Sequence, residues 1–302
     1  CREAGVNHYL TKPVKQSELF DSIVSALGGR KIHLKRPRRN TNDIQKAAIS
    51  LNILLAEDNK VNQRLAVTLL EKRGHSVTVA DDGAEAVKKW ESGSFDIILM
   101  DIQMPNMDGF EATAAIRKME TERGTHTPII AMTAHAMDGD KERCLSAGMD
   151  GYISKPVQTE QLFETVEQIY NGKQTPVQPA KTSKKRQEKV IDVKSLMERV
   201  GQDMELLKEI TDIFLQDYPV KLEAIDNAIS TGDMDSLQKS AHSLKGAVAN
   251  LGAEPAYNAA AALEQFGKDG SFNDVLTAFK KLKEEIDRLV PALTEMTMDE
   301  AA

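Results

Sequence analysis

What this chain has little of narrows it first. Its 302 residues hold two cysteines, one tryptophan and 5% aromatic residues, which excludes a disulfide-stapled scaffold. Cys1 and Cys144 are expected in separate units as small helix-packing residues, and a reducing cytoplasm suits them. No apolar run approaches the roughly 18 residues of a membrane span. Nor does a basic stretch followed by an apolar one open the chain as a secretory signal would. The expectation is a soluble, cytoplasmic stretch that makes no membrane contact itself, within a parent that has room for an inner-membrane anchor elsewhere. Aromatic residues do not interleave the basic runs, so nothing is placed to stack on bases and nucleic acid is not an expected partner. His75, His126 and His135 lack partner cysteines and HxxxH spacing, and read as solvated side chains at loop or strand edges.

What is present begins with a repeat. CREAGVNHYLTKPVKQSELFDSIVSALGG at the start and CLSAGMDGYISKPVQTEQLFETVEQIYNG from Cys144 keep Cys, Ala-Gly, Tyr, Lys-Pro-Val and Leu-Phe at a constant separation. A gapless register of this length marks a duplicated unit. Residues 1–29 are therefore expected to be the end of a first copy, one strand and one helix, too little to bury a core alone. Two stretches rich in Lys, Arg, Pro, Thr and Gln, 30–49 and 172–190, read as linkers. They set off two compact domains, 50–171 and 191–296.

Short apolar runs alternate with amphipathic ones over 50–171. LNILLAED, HSVTVADDG, FDIILMDIQMP, TPIIAMTAH and DGYISKP read as strands, most of them apolar on both faces, and the alternation predicts a doubly wound α/β domain. Ligands of such a sheet sit beyond the carboxyl ends of its strands. Those ends carry Glu57, Asp58, Asp101, Thr133 and Lys155. Clustered carboxylates call for a cation, and an all-oxygen set suits Mg²⁺. Lys155 offers a point charge to a phosphate and Thr133 a hydrogen bond, the parts that phosphoryl transfer needs.

LLAEDNKVNQ, ILMDIQMPNMDG, AMTAHA and YISKPV, in that order, resemble the response-regulator receiver domains of hybrid sensor kinases over the full length of this domain. The resemblance implies a flavodoxin-like (βα)5 fold with Asp101 as phosphoacceptor. It further implies Mg²⁺ held by Glu57, Asp58, Asp101 and the backbone carbonyl of Gln103, and a cis bond between Lys155 and Pro156. Thr133 and Tyr152 match residues that shift on phosphorylation, although Tyr152 reads equally as a half-buried packing ring. Lys155 matches the residue that contacts the phosphoryl group.

From Ile191 onward the pattern is helical, with a kink or restart at Pro219. Segments bounded by Gly, Pro, Asp and Ser predict an antiparallel four-helix bundle with a short leading helix. In SLQKSAHSLKGAVANLG, residues Leu237, Ala241, Leu244, Val248 and Leu251 form the buried stripe. His242 lies off it, beside Lys245, Gly246 and Ala249. Gly inside a helix costs about 1 kcal/mol relative to Ala, and room for another protein's active site would justify it. AHSLKGAVANLGA resembles the signature of histidine-containing phosphotransfer (HPt) domains, with Ala247 where Ser is frequent. That resemblance implies that His242 carries a phosphoryl group while Lys245 helps offset its charge.

The resulting expectation is the phosphorelay end of a bacterial hybrid sensor histidine kinase, an α/β receiver followed by an all-α HPt domain. Phosphoryl would pass from an upstream kinase histidine, in the same parent or its dimer partner, to Asp101, then His242, then a response regulator. ATP would act only through a kinase core that these residues lack. The alternatives are a phosphatase using Asp101 as nucleophile, and a docking module without transfer; Gln103 stands where many such phosphatases place a second acid.

Overall fold

A computed structural model describes residues 47, 49–133, 138–172, 190–270 and 274–298. Every element below lies in one compact unit, Ile44–Ala302. The expected remnant at 1–29 with its Lys12, most of both linkers, and His135 lie outside the described residues.

Five parallel strands, β1 (Asn52–Ala56), β2 (Ser76–Ala80), β3 (Ile97–Asp101), β4 (Ile129–Thr133) and β5 (Gly151–Ser154), form one sheet in the order β2-β1-β3-β4-β5. β3 and β4 are buried along their whole length, as the two-faced apolar runs require. Edge strand β2 alternates partly exposed positions instead. Register aligns Asp101 with Met132 and Thr133 with Ser154. The residues that end β3 and β4, and Lys155 after β5, therefore share one edge of the sheet. α1 (Lys60–Arg73), α2 (Gly83–Ser92), α3 (Gly109–Arg123), α4 (Asp138–Ser146) and α5 (Thr159–Tyr170) follow the five strands in turn. Asn59 caps α1 by accepting from the Val61 and Asn62 N–H groups, and Asp108 with Glu111 forms a capping box on α3.

The remaining helices are α6 (Val193–Arg199), α7 (Met204–Thr231), α8 (Met234–Asn250), α9 (Glu254–Asp269) and α10 (Val275–Met298), the expected short leading helix and four longer ones. α7 runs unbroken through Pro219. Pro219 is exposed, so water can satisfy the carbonyl it leaves open, while buried Phe214 and Ile225 anchor the helix on either side. Among the described residues, no helix is long and apolar enough to cross a membrane.

The two domains are not separate cores. One apolar cluster runs from Ile53, Leu55 and Leu99 in the sheet through Leu65 and Leu69 of α1 to Ile210, Phe214, Leu244 and Leu282 of the bundle. A second cluster, with Leu54, Met100, Ile116 and Cys144, fills the other face of the sheet. Polar contacts border the junction. Arg64 pairs with Glu209 at 2.7 Å, Lys72 with Asp203, and the Thr159 hydroxyl donates to the Arg199 carbonyl at 2.9 Å.

Gly109 brings the start of α3 against the end of β3: a Cβ there would stand 2.2 Å from the Asp101 carbonyl oxygen. Gly109→Ala should therefore push α3 off the strand and lower stability by about 1–3 kcal/mol, as overpacking does. Chemical denaturation checks this; an unchanged midpoint would contradict the packing.

Candidate functional site

Glu57 and Asp58 follow the last residue of β1 and Asp101 ends β3, and parallel pairing of Ala56 with Met100 places these side by side. One oxygen each from Glu57, Asp58 and Asp101 lies within 4.8 Å of the others. Lys155, carried in by β5 beyond a peptide bond to Pro156 that is cis as expected, sets its Nζ 2.6 Å from both Glu57 Oε2 and Asp101 Oδ2. Burial pushes the Asp101 carboxyl up to about 8 against the pull of Lys155, with Glu57 and Asp58 adding to the rise. Burial and then Glu57 raise Asp58 to about 6. For Lys155 burial alone would lower the ammonium, but Asp101 and Glu57 outweigh it and hold it above its ordinary value.

Three acids share one lysine, so negative charge remains in excess. The donors are all oxygens and few, which fits Mg²⁺ with retained waters. Gln103 lines the same cavity, and its N–H donates to Asp101 Oδ1 at 3.3 Å. Thr133, buried at the end of β4, lines the cavity too. Tyr152 is half-buried on β5, packed against the cluster that contains Met100 and Cys144.

The cavity, of about 750 Å³, is walled by both domains: Asp58, Asp101 and Thr133 on the sheet side, Lys221, His242 and Ser243 on the bundle side. His242 lies off the apolar stripe, yet only 8% of it is exposed, because the sheet domain and α9 close around it. Its Nδ1 is 3.1 Å from Glu264 Oε1. A carboxylate there selects the tautomer protonated at Nδ1 and leaves the Nε2 lone pair free. Burial lowers the imidazole below its usual value despite Glu264, so it is neutral at pH 7. Lys245 reaches Glu264 rather than the imidazole, and Lys268 joins the same carboxylate at 2.8 Å. Burial would raise Glu264, but hydrogen bonds from His242, Lys245 and Lys268 outweigh it and hold the carboxyl far below its ordinary range.

Two residues here were not legible beforehand. Glu264 looks like half of a surface i,i+4 pair with Lys268 until α9 packs on α8. Lys221 hydrogen-bonds the Ser243 hydroxyl at 2.8 Å and pairs with Asp217 at 3.3 Å, and nothing in its sequence context marks it. The expected solvated histidines also divide. His126 is exposed and meets Asp150 at 2.7 Å. His75 is buried instead: its Nδ1 accepts the N–H of Leu51, the residue before β1, at 3.3 Å.

Residues 53–167 match the family described as "Response regulator receiver domain", and residues 209–292 match that described as "Hpt domain". The chain is 50% identical over 123 residues to Hybrid signal transduction histidine kinase I of Dictyostelium discoideum, covering 39% of this chain and 7% of that one. It is 34% identical over 227 residues to Sensor histidine kinase GacS of Pseudomonas protegens, covering 72% of this chain and 25% of that one. This chain thus spans a quarter or less of either relative. The solved receiver domain of sensor histidine kinase PA1611 from Pseudomonas aeruginosa is 42% identical, with a TM-score of 0.37 over 41% of this chain and 99% of that one. Since relatives come from Dictyostelium as well as bacteria, the resemblance is to hybrid kinases generally.

Two outcomes follow from these charges. In chelator, Asp101→Asn should raise the melting temperature by several degrees, since it removes a buried carboxylate crowded by buried Glu57 and half-buried Asp58, and the added stability that Mg²⁺ confers should shrink; thermal scans check both. Glu264→Gln should destabilise by about 3 kcal/mol at pH 7, as loss of a buried ionic partner does. A depressed carboxyl contributes stability above its ordinary value of 4.5 that is lost as pH falls toward the folded one. The gap between wild type and Glu264→Gln should therefore narrow below about pH 4.5, which denaturation at several pH values would reveal.

Proposed function

We propose that this chain, a receiver domain joined to an Hpt domain, runs two steps of a multistep phosphorelay inside a hybrid histidine kinase. The observation that carries the reading is the shared cavity: Asp101 and His242 open onto one space, each with cationic side chains at hand. In the first step an Asp101 carboxylate oxygen attacks the phosphoryl group of an upstream phosphohistidine; an O–P bond forms and the N–P bond breaks. In the second, His242 Nε2 attacks that phosphorus, an N–P bond forms, and Asp101 leaves as carboxylate. Glu264 holds the Nδ1 proton throughout, so the imidazole attacks as a neutral nucleophile and the resulting cation is stabilised. A third transfer, to the aspartate of a separate response regulator, would regenerate His242.

Lys155, 2.6 Å from Asp101 Oδ2, and Thr133 bind phosphoryl oxygens on the receiver side, and Lys221 lines the bundle side of the cavity that Thr133 and Asp101 enter. Mg²⁺ held by Glu57, Asp58, Asp101 and the Gln103 carbonyl would supply the charge neutralisation that phosphoryl transfer depends on. Lys245 acts through Glu264, as a positioning residue. Thr133 would shift toward the phosphoryl group, with Tyr152 responding from β5. The repeat at 1–29 supports a second receiver upstream in the parent, and the domain limits 50–171 and 191–296 go with this reading. A cytoplasmic setting goes with it as well, since kinase core and regulator are its partners. A phosphatase reading fares worse, because Gln103 is no acid and the pocket opens onto His242.

Incubation with Mg²⁺ and a small acyl phosphate should label Asp101 first, base-labile, and His242 later, acid-labile. Asp101→Asn should remove both labels by this route, and His242→Gln only the second. Histidine label that survives Asp101→Asn unchanged would overturn the order.

A further inference from the structure

Asn59, Asn62, Ser243 and Asn250 are buried polar side chains at the junction between receiver and bundle, and the orientations of Asn62 and Asn250 follow from Glu57 outward. An ionised carboxylate only accepts hydrogen bonds. Glu57 Oε2 accepts from the Lys155 ammonium at 2.6 Å, and Oε1 from the Asn62 Nδ2 at 2.7 Å and the Asn59 N–H at 3.3 Å. Asn62 must therefore turn its oxygen away from the pocket. There Oδ1 accepts from the Nδ2 of Asn250, the last residue of α8, at 2.7 Å. Alongside, Asn59 uses Oδ1 for the α1 cap and donates its Nδ2 to the Ser243 carbonyl at 2.7 Å.

Two details show that this chain of amides is under constraint. Asn250 is buried, yet its Oδ1 has no partner among the described residues. An orphaned acceptor of this kind costs roughly 1–3 kcal/mol, so the side chain is kept for its Nδ2 alone; turning it over would set two amide oxygens against each other. Gly246, one turn before Asn250, leaves the space Asn62 needs: a Cβ at 246 would stand 3.2 Å from Asn62 Nδ2. The room expected at Gly246 is filled by a residue of this same chain.

We propose that Asn62 is a polarity-locked positioning residue: Glu57 dictates its orientation, and that orientation requires a hydrogen-bond donor at position 250 before the helix bearing His242 can seat over Asp101. The proposal deepens the relay reading and rests on it. Asn62 touches neither phosphoryl group nor acceptor atom; it ties the acid pocket to the end of α8 through one amide, while Asn59 holds the Ser243 carbonyl one residue from His242.

The test uses the full chain, with acetyl phosphate and Mg²⁺, quenched over time to separate base-labile from acid-labile label. Asn250→Ala should lower the ratio of transfer rate to loading rate about tenfold, the worth of one hydrogen bond. Asn250→Asp, though isosteric, should lower it further, because an acceptor then faces the Asn62 oxygen. Were the role only one of filling space, Asn250→Asp would be the milder change, and that ranking overturns the proposal. Amide exchange over Lys60–Arg73 and Ser243–Asn250 gives a readout independent of transfer. If wild type passes no label to His242 yet Asn250→Asp accelerates exchange on both helices, the relay reading fails and the seat stands. If label reaches His242 normally in Asn250→Asp and exchange is unchanged, the seat fails and the relay stands. Asn62→Ala, which removes the link without adding charge, should match Asn250→Ala; a wild-type ratio would overturn the proposal.

Discussion

Lys155 lies between Glu57 and Asp101 at 2.6 Å from each, and much of the molecule is arranged around that contact. Three acids at strand ends would repel one another in a buried pocket. Parallel strands bring them together because a doubly wound sheet puts all its carboxyl ends on one edge, and β5 delivers the compensating ammonium to the same edge. The residual negative charge suits the pocket to a cation.

The same carboxylate that pairs with Lys155 also organises the surface where the bundle sits. Glu57 fixes Asn62, Asn62 accepts from Asn250, and Asn59 reaches the carbonyl of Ser243 beside His242. Apolar packing is continuous across the junction and supplies adhesion without direction. The amides supply register. Opposite them, Glu264 gathers His242, Lys245 and Lys268, so Asp101 and His242 are each backed by a buried partner of opposite character: Lys155 beside the Asp101 carboxyl, and Glu264 on Nδ1 of His242.

Much of this was legible beforehand. Strand ends could be read for Glu57, Asp58, Asp101, Thr133 and Lys155 because two-faced apolar runs of five residues end abruptly in polar ones. The stripe Leu237, Ala241, Leu244, Val248 and Leu251 gave the buried face of α8, and every one of those residues is buried. Glu264 and Lys221 escaped because their meaning depends on which helix packs beside them, and an i,i+4 pair on one helix looks the same whether it faces water or a histidine. His75 escaped because a histidine at a strand edge carries no sign of whether the preceding chain folds over it.

The sequence alone determined the elements, their order, and the chemistry at the strand ends, since hydrophobic period and capping residues act over a few positions. It also marked His242 and Gly246 as unusual on their helix. Only the tertiary structure decided that Gly246 makes room for Asn62 of this same chain, that Nε2 is the free nitrogen of His242, and that Asp101 and His242 share a cavity. Those depend on contacts between residues as far apart as 184 and 188 positions, which no local pattern encodes.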